Sequence, residues 1–194
     1  MSDVVRKFTK VVPAWRPRLA PVELATATAP QAEALGAASP KGRASDYLRL
    51  LAHDPETLAV RARLFHGVMY GAEGLGRDAR ELAAIGASMV NGCVFCAATH
   101  AVRHIRLVDG EDVVDDIFRH GADADLAPRD RAVFDFARHL SDAPPRADHE
   151  DVENLYSVRL DHLDVLDMVL STALFAWANR LMHVLGDPVR EAGQ

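Results

Sequence analysis

The stretch RDARELAAIGASMVNGCVFCAATHAVRHIRLV, residues 77–108, is the part of the chain from which the fold is most readily inferred. Its first half has helical spacing and is rich in Ala, Gly and Ser, whose small side chains let a second backbone approach closely. Asn91 and Gly92 interrupt the pattern, which then resumes. The stretch therefore predicts two closely packed helices, with the chain's only two cysteines, Cys93 and Cys96, at the start of the second.

Helical periodicity extends outward from this pair over residues 45–188, and we find no convincing strand alternation. The longest and most apolar helix is predicted in DHLDVLDMVLSTALFAWANRLMHVLG, residues 161–186, with Gly186 ending it. Residues 1–44 form a Pro- and Ala-rich arm, where we expect extended chain and loop with at most short helical pieces. The prediction is an all-α multi-helix bundle in one domain, residues 1–194, with an extended N-terminal arm. The arm's prolines are Pro13, Pro17, Pro21, Pro30 and Pro40.

The composition is that of an ordinary folded domain, since 49% of the 194 residues are apolar and the formal net charge is −6. The negative charge argues against nucleic acid or an anionic membrane as a partner. No uninterrupted apolar run approaches the ~20 residues that span a membrane, and the N-terminus lacks the apolar core of a secretory signal. We therefore expect a cytoplasmic protein. In that reducing compartment a close cysteine pair is more typical of catalysis or metal binding than of a structural disulfide.

One basic cluster stands out against this acidic background, and all of it lies in the N-terminal arm. A cluster of this kind can mark a nucleic-acid site or a solvated arm. We interpret it as an arm that lies on the core or on a neighbouring subunit. Its members are Arg6, Lys7, Lys10, Arg16 and Arg18.

The cysteine pair has three interpretations. A metal site would use Cys93, Cys96, His100 and His104, all of which are zinc-ligand types. These residues extend over roughly 16 Å of helix axis, whereas zinc needs four donor atoms within about 2.0–2.3 Å of one point. Four ligands from this segment are therefore excluded, while a partial site completed by another element stays open. The second interpretation is a pair of ordinary buried core cysteines.

The third interpretation is a thiol redox centre. Cβ atoms three residues apart on a helix are separated by about 5–6 Å and a disulfide needs ~3.8 Å, so a Cys93–Cys96 bond would be mildly strained and easily reduced. The helix N-terminus is expected to lower the pKa of both thiols. His100, one turn beyond Cys96, is the candidate base. Glu81 on the preceding helix is the candidate to orient it, or else an ordinary first-turn glutamate favoured by the helix dipole.

At this point the chain resembles a known family. The pattern E-x11-C-x2-C-x3-H, occupied by Glu81, Cys93, Cys96 and His100, resembles the alkylhydroperoxidase AhpD-like branch of the carboxymuconolactone decarboxylase superfamily. The segments DRAVFDFARHLSDAP and LFAWANRLMHVLG are similar to matching segments of its peroxidase-related subgroup. The resemblance covers about residues 46–186.

The resemblance implies a cysteine-based peroxidase for organic or hydrogen peroxides. Cys96 would be the peroxidatic cysteine that becomes a sulfenic acid, Cys93 would resolve it as a disulfide, and Glu81 with His100 would relay the proton. A dithiol protein would be the reductant, with no bound cofactor or metal, and the protein would be a homo-oligomer, commonly a trimer or hexamer. Phe95 departs from the best-described members, which carry a histidine just before the second cysteine.

Two other functions stay open beside the peroxidase. A non-enzymatic thiol redox sensor or scaffold would use the same disulfide to switch an interface, but would not need the Glu81–His100 pair. A lactone decarboxylase is the weaker enzymatic alternative, because that branch generally lacks the cysteine pair. The polar pair Asn179 and Arg180, late in an apolar helix, must find partners if buried, and we assign it a structural or interface role.

Overall fold

A computed structural model describes residues 3–39 and 44–190; residues 1, 2, 40–43 and 191–194, and with them Pro40, lie outside the described residues. The described ranges contain nine α-helices, two short β-strands and two 3₁₀ turns. The predicted all-α class is confirmed. The helices are α1 Ala29–Ala38, α2 Asp46–Leu51, α3 Pro55–Tyr70, α4 Arg77–Val90, α5 Val94–Val108, α6 Asp112–His120, α7 Pro128–Ser141, α8 His149–Ser157 and α9 His162–Leu185; the strands are β1 Ala14–Pro17 and β2 Gly186–Val189.

Helix α4 lies at the centre of the bundle, and α5, α7 and α9 pack directly on it. Its residues from Ala79 to Ser88 are all buried, so the helix is enclosed on every side. Small side chains make this possible: a Cβ built on Gly86 would lie only 3.0 Å from the Cβ of Ala137 and 3.3 Å from the ring of Phe134, both on α7. The predicted close approach of a second backbone is confirmed here.

The break between α4 and α5 is built as the sequence predicts. Asn91 closes α4, and Gly92 follows with a φ of +69°, a left-handed conformation that favours glycine. The N–H of Cys93 then donates to the carbonyl of Ser88 at 2.8 Å, and α5 begins at the next residue. The turn therefore places both cysteines at the N-terminus of a buried helix.

Capping side chains begin the outer helices. Asp54 accepts from the N–H of Thr57 at the start of α3, whose first residue is a proline. Asp161 accepts from two N–H groups of α9, and Asp164 completes the capping box. Helix α9 therefore begins and ends within one residue of its predicted limits. It is long and apolar enough to cross a membrane by length and composition, yet nine of its side chains are buried in this fold.

The N-terminal arm differs from the prediction in having a strand. β1 pairs antiparallel with β2, so that Ala14 lies opposite Val189 and the residues after α9 continue as a strand from Gly186. A Cβ on Gly186 would meet the ring of Trp15 at 2.4 Å, which explains the glycine. Strands of four residues are too short for alternation to be recognised. The arm also contains α1, which packs on α3.

Two members of the basic cluster, Lys10 and Arg18, contact the core of the same chain, whereas Arg16 pairs with Asp3 inside the arm. Lys10 forms ion pairs with Glu111 at 2.8 Å and Asp115 at 2.6 Å, on the loop before α6 and on α6 itself. Arg18 pairs with Asp187 at 2.5 Å and donates to the last carbonyl groups of α9. These contacts hold the arm against the start of α6 and the C-terminal end of α9.

The contact between α4 and α7 gives a stability prediction. Gly86→Ala should destabilise the protein by about 1–3 kcal/mol, because the added methyl meets the Ala137 side chain and the α7 backbone in a packed core. Gly36→Ala in α1 is the matched control, since its Cβ meets nothing within 4 Å and should stabilise by up to about 1 kcal/mol. Urea unfolding of both variants measures the difference, and equal midpoints would contradict the close approach.

Candidate active site

The two cysteines are free thiols and both are buried, Cys93 with 3% and Cys96 with 7% of its surface exposed. Cys93 occupies the N-cap position of α5, where the backbone has not yet become helical. Cys96 lies in the first turn of the helix. The pair is packed against Tyr47 and Met182.

The two thiols have opposite acidities. The pKa of Cys93 is lowered, because the Cys96 thiol donates a hydrogen bond to it and the N–H groups at the start of α5 and the amide of Asn179 add to this, against the effect of burial. The pKa of Cys96 is raised well above its ordinary value by that same hydrogen bond and by burial. The prediction of lowered pKa values is therefore right for Cys93 and wrong for Cys96. Two adjacent buried thiols share a proton, and the cap position favours the thiolate on Cys93.

Glu81 and His100 meet across the α4–α5 interface. Oε2 of Glu81 contacts Nδ1 of His100, and both side chains are buried. The other oxygen of Glu81 accepts from Nε of Arg77 at 2.8 Å, one turn earlier on the same helix. A Glu81 that is fully buried and paired on both oxygens is not an ordinary first-turn glutamate.

The charges of this pair suit a base that is held in one orientation. Burial alone would raise the pKa of Glu81, but His100 and Arg77 together lower it to about 2. Burial lowers the pKa of His100 despite the neighbouring carboxylate. At neutral pH the carboxylate is therefore ionised and the imidazole is neutral, with the Nδ1 proton donated to Glu81 and Nε2 left as the basic nitrogen. The edge-to-face contact with Phe175, 4.1 Å between ring centroids, fixes the plane of the imidazole.

The dithiol lies between two cavities. One, which we name the Cys96 cavity, has a volume of about 630 Å³ and includes both Cys96 and His100 in its wall. The other, the Cys93 cleft, has a volume of about 370 Å³ and reaches Cys93 from the side of the N-terminal arm. Phe95 lines both. Other residues of the Cys96 cavity are Tyr47, Arg61, Phe65, Arg103 and Phe175, and those of the Cys93 cleft include Arg6, Trp15, Arg18, Met182 and Pro188.

Asn179 is a site residue that the sequence analysis placed elsewhere. It is fully buried, donates to Oγ of Ser88 at 3.1 Å and hydrogen-bonds to both cysteines. Arg180, expected to share its role, is instead exposed and donates to a carbonyl of its own helix. A polar residue in an apolar helix correctly marks Asn179 as a residue with buried partners. Only the packing of α9 on α4 shows that those partners are Ser88 and the two cysteines.

Arg77 and Arg61 were missed altogether. Arg77 supports Glu81 and also donates to the carbonyl of Met69 at 2.7 Å. Arg61, on α3, lies in the wall of the Cys96 cavity, and its charge lowers the pKa of Cys96 against burial. An arginine among the many of an amphipathic helix gives no sequence signal of this kind.

His104, the fourth residue of the metal interpretation, is buried and its Nδ1 contacts the carbonyl oxygen of Asp78 at 3.0 Å. This contact gives it a structural role between α5 and the start of α4. Within residues 3–39 and 44–190 no three His, Cys, Asp or Glu side chains are grouped to hold a metal ion.

Comparison with known proteins finds one family model and several solved structures of similar fold. Residues 55–139 match the carboxymuconolactone decarboxylase family model. Similar solved structures include an alkylhydroperoxidase AhpD core, peroxidase-related protein from Ralstonia eutropha, with 24% identity, a TM-score of 0.75, and 94% of this chain and 95% of that chain covered. A peroxidase-related protein from Silicibacter has 22% identity, a TM-score of 0.72 and coverage of 87% and 91%. The debrominase Bmp8 has 16% identity, a TM-score of 0.74 and coverage of 90% and 92%.

A search of curated proteins gave no match. The family match over residues 55–139 and the shared AhpD-like fold support assignment to the superfamily of AhpD-like and carboxymuconolactone decarboxylase proteins. The resemblance inferred from the Glu81, Cys93, Cys96 and His100 pattern is confirmed at that level. Structural likeness below 25% identity shows the fold alone.

The coupled thiols give a prediction for titration. Cys96→Ala removes the donor to Cys93, so the pKa of Cys93 should rise above its value in the unmodified protein. Cys93→Ala removes the acceptor, so the pKa of Cys96 should fall. Thiolate absorbance followed against pH in the reduced variants measures both shifts. If the pKa of each cysteine is the same in the single variant as in the unmodified protein, the hydrogen bond between the two thiols is absent.

Proposed function

We propose that this protein is a cysteine-based peroxidase that reduces organic or hydrogen peroxides through a Cys93–Cys96 disulfide. The observation that carries the proposal is the Glu81–His100 pair, an oriented neutral base in the wall of the same cavity as Cys96. A sensor needs two thiols, but it does not need a buried carboxylate that fixes a histidine. The family membership and the AhpD-like fold support an enzyme of this class.

The first half of the reaction oxidises Cys96. The thiol gives its proton to His100, and the resulting thiolate attacks the terminal oxygen of the peroxide. The O–O bond breaks, the alkoxide leaves and takes the proton back from His100, and the products are an alcohol and a sulfenic acid on Cys96. Because burial and the Cys93 partner raise the pKa of Cys96, this step needs the base.

The second half forms the disulfide. The Cys93 thiolate attacks the sulfur of the Cys96 sulfenic acid, and the hydroxyl group leaves as water after taking up one proton. After Cys96 has been oxidised, the N–H groups at the start of α5 and the amide of Asn179 still favour the Cys93 thiolate and keep it available for this attack. A dithiol protein then returns two electrons, and we propose that it reaches Cys93 through the Cys93 cleft, while the peroxide uses the Cys96 cavity.

A homo-oligomer is part of this proposal. Along α9 the large apolar residues Leu163, Leu166, Leu170, Trp177 and Val184 are between 41% and 70% exposed. Their spacing places them on one face of the helix. A second copy of the chain would cover that face, and the family resemblance suggests a trimer or a hexamer.

The fold of the debrominase Bmp8 makes reductive dehalogenation the second candidate. A cysteine-to-alanine variant of that protein has been solved with 2,3,4-tribromopyrrole, and the Cys96 cavity here has aromatic walls that suit a flat ring. Release of bromide from a brominated aromatic compound would favour this function over peroxide reduction. A decarboxylase would turn over its lactone without forming a disulfide.

The disulfide cycle is tested by mass spectrometry and by turnover. One equivalent of hydroperoxide should convert both free thiols to an intramolecular Cys93–Cys96 disulfide, which a dithiol then clears, and repeated cycles should consume peroxide catalytically. Cys93→Ser should stop at an oxidised Cys96. Disulfide formation without catalytic consumption would favour the sensor, and unchanged thiols would overturn the redox centre itself.

The relay is tested by removing its two members separately and together. Glu81→Gln and His100→Gln should each lower turnover at neutral pH by at least about tenfold, because general-base assistance is typically worth about 10² to 10⁴ in rate. The double variant should be scarcely worse than either single one, since the two act as a unit. Raising the pH should restore part of the rate by ionising Cys96 directly.

Glu153→Gln, on an exposed turn of α8, is the matched control and should leave turnover unchanged. Circular dichroism must first show that Glu81→Gln and His100→Gln retain the helix content of the unmodified protein. Folded variants with normal rates would remove the relay from the mechanism.

A further inference from the structure

The Cys96 cavity holds positive charge without any compensating carboxylate. Arg61 and Arg103 both lie in its wall, while none of the described residues that line it is Asp or Glu. Within the described ranges neither arginine makes an ion pair.

Arg61 is also held in a fixed place by aromatic rings. Its guanidinium carbon lies 3.8 Å from the ring centroid of Phe65, 5.5 Å from that of Tyr47 and 5.9 Å from that of Trp177. Its Nε is buried without a hydrogen-bond partner. A partly buried cation with an unsatisfied donor is costly, and an anion that accepts from it removes the cost.

Much of the remaining cavity wall is apolar or aromatic. Phe65, Phe95 and Phe175 contribute rings, and Met69 and Met182 contribute adaptable side chains. The volume of about 630 Å³ lies in the usual range of small-molecule sites, roughly 300–1,000 Å³. The cavity therefore combines room for one hydrophobic ring or chain with a single fixed cation near the reactive sulfur.

We propose that the Cys96 cavity selects a hydrophobic organic acid, and that the carboxylate of this substrate pairs with Arg61. The guanidinium presents a planar fork that matches a carboxylate with two parallel hydrogen bonds. Because Arg61 is close enough to influence Cys96, an acid bound there is held beside the sulfur. This inference rests on the proposed function for its reactive group, a hydroperoxide carried by the acid, and adds the class of substrate.

Matched substrates test the selectivity. Para-carboxycumene hydroperoxide and its methyl ester carry the same peroxide and differ in one charge. The acid should have a kcat/KM higher than the ester by about tenfold or more, since hydrogen bonds to a charged group are worth about one decade or better. Arg61→Met should bring the acid-to-ester ratio close to one while keeping the apolar stem on Phe65. Arg61→Lys should restore only part of the ratio.

Arg63→Met is the matched control, because Arg63 is exposed on the same helix and does not line the cavity. It should leave the ratio as it is. The alternative role for Arg61 is support of the Cys96 thiolate. In that case Arg61→Met would slow acid and ester in parallel with no change in their ratio, and this result would overturn the inference.

Binding of cumate separates this inference from the proposed function, because cumate carries the acid but no peroxide. Calorimetry should show that cumate binds more tightly than its methyl ester, and that Arg61→Met removes the difference. Normal cumate binding without turnover of either hydroperoxide would contradict the peroxidase and leave the acid site supported. Equal binding of cumate and its ester, or no binding of cumate, would overturn the acid site whatever the turnover.

Discussion

The buried carboxylate of Glu81 is the constraint around which this protein is organised. A charge with no exposed surface costs several kcal/mol unless it is paired and hydrogen-bonded. Arg77 satisfies one oxygen from the same helix, but the other is satisfied only by His100, so α5 must lie directly against α4. The small residues of α4 permit that approach. The pairing of Glu81 with His100 therefore fixes the packing of α5 on α4, and with it the position of both cysteines at the start of α5.

The same arrangement makes the dithiol asymmetric. Cys93 accepts from N–H groups at the helix start, while Cys96 lies three residues further along α5 and donates to Cys93. Each sulfur also faces its own opening, the Cys93 cleft or the Cys96 cavity. In the proposed cycle, the peroxide and the protein reductant would each use a separate opening and would not compete for one approach. Asn179, on α9, hydrogen-bonds to both sulfurs and so holds the two thiols in their positions.

The features predicted from sequence were those set by local spacing. The α4–α5 pair, the break at Gly92 and the contact of Glu81 with His100 depend on residues within about twenty positions of each other. The features that were missed depend on packing between distant segments: Arg61 and Asn179 reach the cysteines only because α3 and α9 fold over them. The expected acidity of Cys96 was wrong for a related reason. The helix dipole by itself predicts a lowered pKa for Cys96, whereas the neighbouring thiol and burial raise it.

The ribbon of β1 and β2 joins the two ends of the described chain beside Cys93. Two strands of four residues are marginal by themselves, and their pairing closes a loop that contains the whole helical bundle. Such a contact forms late in folding and opens locally at a lower free energy than the helices unfold. In the proposed cycle, access of a protein reductant to Cys93 would therefore depend on local opening of this ribbon, whose residues line the Cys93 cleft, rather than on unfolding of the bundle.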